Sequence, residues 1–157
     1  MNGGPKYRAA VFPAILWGGL ICGVMDITAA ILVYGLFGAK PLRILQGIAA
    51  GLLGPDAFNG GLPTAILGLA CHFFIAFSAA TIFVLASRFV PFLIHHSILA
   101  GVLYGPTVYF FMNRVVVPLS NARKYPFSLK MMFIGVAIHI VCVGLPIAIA
   151  TRRNSSL

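Results

Sequence analysis

Four long apolar stretches run through this sequence, and they limit its possible folds more than any other feature. They cover about residues 11–37, 63–86, 97–119 and 127–150. A helix needs about 20 apolar residues to cross the hydrocarbon core of a bilayer. Within that core the backbone has to form its hydrogen bonds internally. The sequence therefore predicts an all-α, polytopic membrane protein with four transmembrane helices, forming a single transmembrane domain over residues 1–157.

The composition agrees with a membrane protein and excludes a water-soluble domain. Hydrophobic residues make up 61% of the 157 residues and charged residues only 8%, whereas about a quarter of a soluble domain is charged. The net charge is +9, from 11 Lys and Arg against two acids. Because the bases flank the apolar stretches, we expect them to meet anionic lipid headgroups, and we expect no nucleic-acid partner.

The basic residues divide almost equally between the two ends of the predicted helices. Five lie on side A, the side that carries both chain ends, and five or six lie on the opposite side B. Those on side A are Lys6, Arg8, Arg88, Arg152 and Arg153; those on side B are Lys40, Arg43, Arg123, Lys124 and Lys130, with Arg114 nearby. The positive-inside rule therefore gives only a slight preference, for cytoplasmic chain ends, and leaves insertion in both orientations open. We expect the plasma (inner) membrane of a bacterium, with the first stretch as an uncleaved anchor because it is too long for a signal peptide.

A short segment, residues 41–54, is amphipathic but too short to cross the bilayer. Its apolar and small side chains form two faces of a predicted helix: Leu42, Leu45, Ala49 and Leu52 on one, and Arg43, Gly47, Ala50 and Gly54 on the other. This pattern predicts an interfacial or re-entrant helix that lies against the transmembrane helices.

Two glycine patterns recur in the same order in the two halves of the chain. They are Gly19-x-x-x-Gly23 followed by Gly68-x-x-x-His72, and Gly101-x-x-x-Gly105 followed by Gly135-x-x-x-His139. The recurrence predicts two pseudo-repeated αα-hairpins, related by an axis along the membrane normal. The alternative is chance, since the chain contains 17 glycines. In either case, small residues at this spacing let helices approach closely.

Three ionisable residues lie near the middle of predicted spans. They are Asp26, His72 and His139, and each is costly at bilayer depth, which makes each a candidate for a functional site. All three share a helix face with small residues, so we expect them to converge at the centre of the protein. The third stretch adds possible supporting residues, which are Tyr104, Thr107, Tyr109, Asn113 and Arg114; Arg114 can instead reach the headgroups.

Three interpretations of this midplane site remain open. In the first, the site takes up protons in a proton-linked transport protein, or the chain is a non-catalytic subunit of a membrane complex. The expected partner is then a second copy of the chain or a larger membrane complex. Alternatively, Asp26 hydrogen-bonds a histidine and only fixes the packing of a structural bundle. In the third interpretation, His72 and His139 ligate a b-type haem, and the glycine pairs make room for the macrocycle.

Chemistry of other kinds has little support in the sequence. Cys22, Cys71 and Cys142 lie apart inside apolar stretches and lack metal-ligand spacing, so we predict no metal site. We find no catalytic motif, and with two acids in the chain a pair of catalytic carboxylates is restricted to Asp26 and Asp56, which lie at different depths. We therefore expect a protein that is not an enzyme.

Overall fold

The computed structural model describes residues 10–124 and 126–155, and the elements that these residues form are helices and helical turns. Lys6 and Arg8, expected on side A, lie outside the described residues. The elements are α1 (Val11–Leu36), α2 (Pro41–Leu53), a 3-10 turn (Gly54–Asn59), α3 (Gly61–Ser87), α4 (Phe92–His95), α5 (Ser97–Phe111), a first π-helical turn (Met112–Val116), α6 (Val117–Leu119), α7 (Leu129–Ile138), a second π-helical turn (His139–Gly144) and α8 (Leu145–Arg153).

Three of the helices formed by the described residues are long and apolar enough to cross a membrane. They are α1, α3 and the continuous helix Leu129–Arg153, which joins α7 to α8 through the second π turn. The prediction of an all-helical fold is thereby confirmed, and the three long apolar helices agree with an integral membrane protein. The fourth predicted span is also helical, as α5, the first π turn and α6. It contains Asn113 and Arg114, which make it less apolar, and it is not among these three.

Local chemistry fixes where the helices begin and end. After α1 the chain turns at Gly38, whose φ of +85° favours glycine. Pro41 then opens α2 at a position where its missing N–H costs nothing. The last long helix begins at Leu129, two residues later than predicted, because the Ser128 hydroxyl accepts a hydrogen bond from the Met131 N–H at 3.4 Å and caps the helix.

Each π-helical turn is followed by a proline. Pro118 follows the first turn and Pro146 the second. A proline has no N–H to donate, and its ring clashes with the carbonyl four residues earlier, so the preceding turn widens. The sequence predicts kinks at Gly105-Pro106 and at Gly144 with Pro146. The widened turn occurs beside Pro146, whereas α5 stays α-helical through Pro106.

The long helices pack against one another in antiparallel pairs. At side A, the Ala10 N–H at the start of α1 donates to the Asn154 carbonyl at the end of α8, at 2.7 Å. Further along α1, Gly18 lies against both Ala80 of α3 and Ile147 of α8. Helix α5 packs in the same way on the second π turn and α8. The buried core between these helices consists mostly of small residues, namely Cys22, Ala76, Ala79, Ala80, Phe83, Ala100, Val143, Ile147 and Ala148.

Helix α2 lies against the side B half of α3, as the sequence predicts for a short helix packed on the longer ones. Gly68 of α3 contacts the Leu45 backbone carbonyl, and the Asn121 N–H donates to the Gly51 carbonyl at 3.0 Å. The buried stripe falls between the two predicted faces, because Ala49 of one face and Ala50 of the other are both buried. The predicted leucine face is partly exposed, with Leu52 61% accessible.

Candidate functional site

Asp26 lies in the middle of α1 and is half-buried. Two thiols, Cys22 one turn earlier and Cys142 on the second π turn, lie close enough to feel its charge. Among residues 10–124 and 126–155, no side chain or backbone N–H donates a hydrogen bond to the Asp26 carboxyl, and no cation pairs with it. The carboxyl of this half-buried residue therefore has no hydrogen-bond or ion-pair partner within that part of the chain.

His72 is held by the backbone of the neighbouring helix. Its Nε2 lies 2.9 Å from the Gly23 carbonyl oxygen of α1, three residues before Asp26. The ring stands edge-on to the ring of Phe73, with the centroids 5.6 Å apart. A carbonyl accepts but does not donate, so His72 donates to it through a protonated Nε2.

His139 is the first residue of the second π turn, and its ring is held within its own helix. Its Nδ1 lies 2.9 Å from the Gly135 carbonyl oxygen. The ring of Tyr109 packs against it at right angles, with the centroids 5.2 Å apart. Each histidine thus has a backbone carbonyl as partner.

The helix register places Asp26 at the depth of both histidines. Gly18 of α1 lies against Ala80 and Ile147 on two antiparallel helices. Counting eight residues further along α1, and eight residues back on each partner, leads to Asp26, His72 and His139. The observed contacts are offset from this count, because His72 meets Gly23 and the second π turn brings Cys142 near Asp26. In the described part of the chain, however, no hydrogen bond joins any two of these three side chains. The three side chains therefore do not form a hydrogen-bonded cluster in that part of the chain.

The polar residues of the third predicted span divide between two environments. Tyr104 is half-buried and its hydroxyl donates to the Ala79 carbonyl of α3 at 2.8 Å, and the half-buried Tyr109 packs on His139. The remaining three side chains are exposed. Two of them hydrogen-bond within their own helix, at 2.9 Å to the carbonyl four residues earlier. These exposed residues are Thr107, Asn113 and Arg114.

The structure places all six glycines of the predicted packing patterns at contacts between helices. The rings of Phe77 and Phe73 pack against Gly19 and Gly23, and Gly68 contacts α2. In the second half, Gly101 and Gly105 contact the backbone of the second π turn, and Gly135 contacts the ring of Tyr109. The small faces that could have served contacts between copies of the chain are therefore used inside the monomer.

The same packing argues against a haem between the histidines. The Gly23 flank of α1, expected to make room for a macrocycle, is filled by Phe73, whose Cε1 would lie 2.6 Å from a Cβ at Gly23. Beside Gly105, a Cβ would lie 2.6 Å from the His139 carbonyl oxygen. With both glycine faces filled and both histidines hydrogen-bonded to backbone carbonyls, the residues do not fit a bis-histidine haem.

Within residues 10–124 and 126–155, four polar residues are buried, and none of them was singled out from the sequence; they are Gln46, Ser87, Ser97 and Thr151. Gln46 of α2 is 1% exposed, and its Nε2 donates to the Gly61 carbonyl at 2.9 Å, while its Oε1 has no partner in the described structure. Its spacing to Ala49 and Ala50 would have placed it on a buried stripe. Gly144, which contacts Gly101, was expected to kink its helix but not to pack closely.

Among the described residues, no group of three or more His, Cys, Asp or Glu side chains is arranged to hold a metal ion. No protein-family model matches the chain, and comparisons with curated proteins and with solved structures give no significant match. The geometry of the chain itself is therefore the basis for the function proposed next.

Proposed function

We propose that the chain is a four-span bundle of two repeated hairpins, with Ser97–Leu119 as the additional span. Matching contacts in the two halves support this. Gly19 contacts Phe77 in the first half, and Gly101 contacts Gly144 in the second. The two contacts are related by the offsets between the repeated sequence patterns. Gly101 lies 82 residues after Gly19, the offset of the first helix of each hairpin, and Gly144 lies 67 residues after Phe77, the offset of the second. Gly23 with Phe73 and Gly105 with Ile140 repeat the relation.

In this bundle we propose a role in proton-linked transport, without catalytic chemistry, for Asp26. The observation that carries the proposal is that no described residue donates a hydrogen bond to the Asp26 carboxyl. A carboxylate at bilayer depth without a partner is costly, which makes Asp26 a candidate site for a proton or a small cation. Release and uptake of a proton there would be coupled to a change in the helices, and the second π turn, which contains Cys142, offers a place where a helix can adjust.

The purely structural interpretation has less support. It requires Asp26 to hydrogen-bond a histidine and so fix the packing. Both imidazoles instead have backbone carbonyl partners at 2.9 Å. Interior hydroxyls are similarly satisfied, with those of Thr81 and Tyr104 donating to carbonyls at 2.7 and 2.8 Å. Packing is thus accounted for without Asp26.

The setting that we propose is a bacterial inner membrane, with a homo-oligomer or a larger membrane complex as the working form. A bundle of this size offers little room for a pathway inside one copy, since its small faces are in mutual contact. Large apolar side chains on the outside of α1, such as Phe12 and Trp17, which are 76% and 52% exposed, are available for lipid or for another subunit.

The test is proton flux into liposomes that contain the purified full chain, driven by a potassium diffusion potential and followed with an internal pH dye. We expect flux above that of empty liposomes, and we expect Asp26→Asn to reduce it at least tenfold because the amide cannot release a proton. Asp56→Asn is the matched control. It removes the only other acid, which lies exposed in the 3-10 turn, and should leave the flux unchanged.

Helical circular dichroism and elution from a sizing column should be the same for all three proteins. Wild-type liposomes no more permeable than empty ones, or an Asp26→Asn flux equal to wild type, would overturn the transport role. The first result would favour the non-catalytic subunit instead.

A further inference from the structure

A basic cleft opens at side A, between the first turn of α5 and the last turn of α8. It has a volume of about 430 Å³ and is lined by His95, His96, Arg152 and the start of α5. A second cavity of about 340 Å³ shares Ser97, Ile98 and Arg152 with it and adds Arg153. The two cavities together form the basic cleft. The residues of the midplane site do not line it, so its role is independent of Asp26.

The cleft carries positive charge with no acidic side chain to neutralise it. Arg152 and Arg153 are exposed, and the two acids of the chain, Asp26 and Asp56, lie in the middle of α1 and at side B. Arg152 is partly oriented, because its Nη1 donates to the Ser97 hydroxyl at 3.5 Å, and Ser97 itself is 1% exposed. A partly oriented guanidinium with remaining N–H groups is suited to bidentate hydrogen bonding of a phosphate.

Backbone amides add to the preference for an anion. The first backbone hydrogen bond of α5 runs from the Ala100 N–H to the His96 carbonyl at 2.8 Å. The preceding amides, of residues 97–99, belong to residues that line the cleft, and no side chain caps them. The free amides and the positive end of the helix dipole both favour a negatively charged group there.

The floor of the cleft is apolar and faces outward. Ile98, Leu99 and Val102 line it and are 64%, 49% and 37% exposed. A basic rim above an exposed apolar wall at one end of membrane-spanning helices matches an amphiphile with an anionic head, and not a free anion, which would gain nothing from the wall.

We propose that the basic cleft binds one anionic phospholipid, with its phosphate between Arg152, Arg153 and the first turn of α5, and an acyl chain along Ile98 and Val102.

The test uses the full chain, purified in a non-ionic detergent, freed of lipid and titrated with phosphatidylglycerol or with phosphatidylcholine of the same acyl chains. Native mass spectrometry counts the lipids retained. We expect the wild type to retain one phosphatidylglycerol with at least a tenfold preference over phosphatidylcholine. The double variant Arg152→Gln/Arg153→Gln should lose this preference, since both guanidinium groups are removed.

Two further variants separate a specific site from general attraction to charge. Lys40→Gln/Lys124→Gln removes the same charge from exposed residues of side B and should keep the preference. Ser97→Ala leaves the charge unchanged but removes the acceptor that orients Arg152, so it should weaken the retention of phosphatidylglycerol several-fold. Both arginines are exposed, so their replacement leaves the core of the protein intact. Circular dichroism checks that the variants fold.

Equal retention of both lipids by the wild type would overturn the proposal. An unchanged preference in the double arginine variant would also overturn it, as would an equal loss in the Lys40 and Lys124 control. Displacement of the lipid by millimolar inorganic phosphate would show a site for free anions and would contradict the part of the proposal that concerns the acyl chain.

Discussion

At the scale of single residues, the closest contacts between helices are made where two backbones meet without side chains between them. Gly144 of the second π turn contacts the Gly101 carbonyl of α5, and Gly105 lies beside the His139 carbonyl. Contacts of this kind give large dispersion energy in a membrane, where the lipid tails compete with apolar side chains and the hydrophobic effect between helices is absent. A single added methyl group would have to separate two backbones.

We expect Gly144→Ala to lower the thermal stability of the protein in detergent. The new Cβ would meet the Gly101 carbonyl, which belongs to the backbone and cannot rotate away, and overpacking of this kind costs about 1–3 kcal/mol. The midpoint of thermal unfolding, followed by circular dichroism, measures the effect.

Gly47→Ala in α2 is the control for that substitution. A Cβ there has no atom within 4 Å, so the change should be neutral or should stabilise the helix by up to about 1 kcal/mol through helix propensity. A Gly144→Ala variant as stable as wild type would show that the helices separate at little cost.

At the scale of elements, α2 is fastened to the long helices by few polar contacts. Gln46 joins its middle to the start of α3 through the Gly61 carbonyl, and Asn121 joins its end to the segment after α6 through the Leu52 carbonyl at 3.0 Å. These hydrogen bonds join segments that are distant in sequence. They therefore hold α2 in one place, whereas an amphipathic helix without them would lie freely at the membrane surface.

We expect Gln46→Glu to release α2 and Gln46→Met to leave it in place. Glutamate loses the donor to the Gly61 carbonyl and buries a carboxylate next to it, which costs at least about 2 kcal/mol. Methionine has a similar volume and also removes the unpartnered Oε1, so its net cost should stay within about 1 kcal/mol. Hydrogen exchange of the α2 amides, measured by mass spectrometry, reports the difference, and equal exchange in the two variants would contradict it.

At the scale of the whole molecule, the number of spans decides the arrangement of the loops. With Ser97–Leu119 across the bilayer, the loop before α4 and the segment after α6 lie on opposite sides. Without it, the two lie on the same side. The antiparallel contacts of α5 with the second π turn favour the first arrangement, because they run over much of the length of α5, from Gly101 to Tyr109.

We expect single cysteines at Phe89 and Ala122, introduced after the three native cysteines are replaced, to react from opposite faces of intact cells or sealed vesicles. A membrane-impermeant maleimide, added before and after permeabilisation, distinguishes the faces. Reaction of both positions from the same face would show that the protein has three spans and not four. Reaction of each position from both faces would show insertion in two orientations.

The amino-acid sequence by itself determined the class of protein and most of its elements. Residue hydropathy and helix length decide whether a segment can cross a bilayer, and both are local properties. Prolines and glycines likewise act locally, which is why α1, α2 and α3 begin and end close to the predicted positions. The deviation at Ser128 arose from a cap that the pattern of apolar residues does not reveal.

Only the tertiary structure decided which partner each polar group has. The long helices are apolar on all sides, so their sequence carries no hydrophobic face that fixes their rotation. Their packing instead follows the small residues. The rotation that results gives His72 the Gly23 carbonyl and His139 the Gly135 carbonyl, and it leaves Asp26 without a donor among residues 10–124 and 126–155. Depth in the membrane follows from counting residues, whereas a hydrogen bond depends on the rotation and register of two helices, which the chain reaches only when they pack.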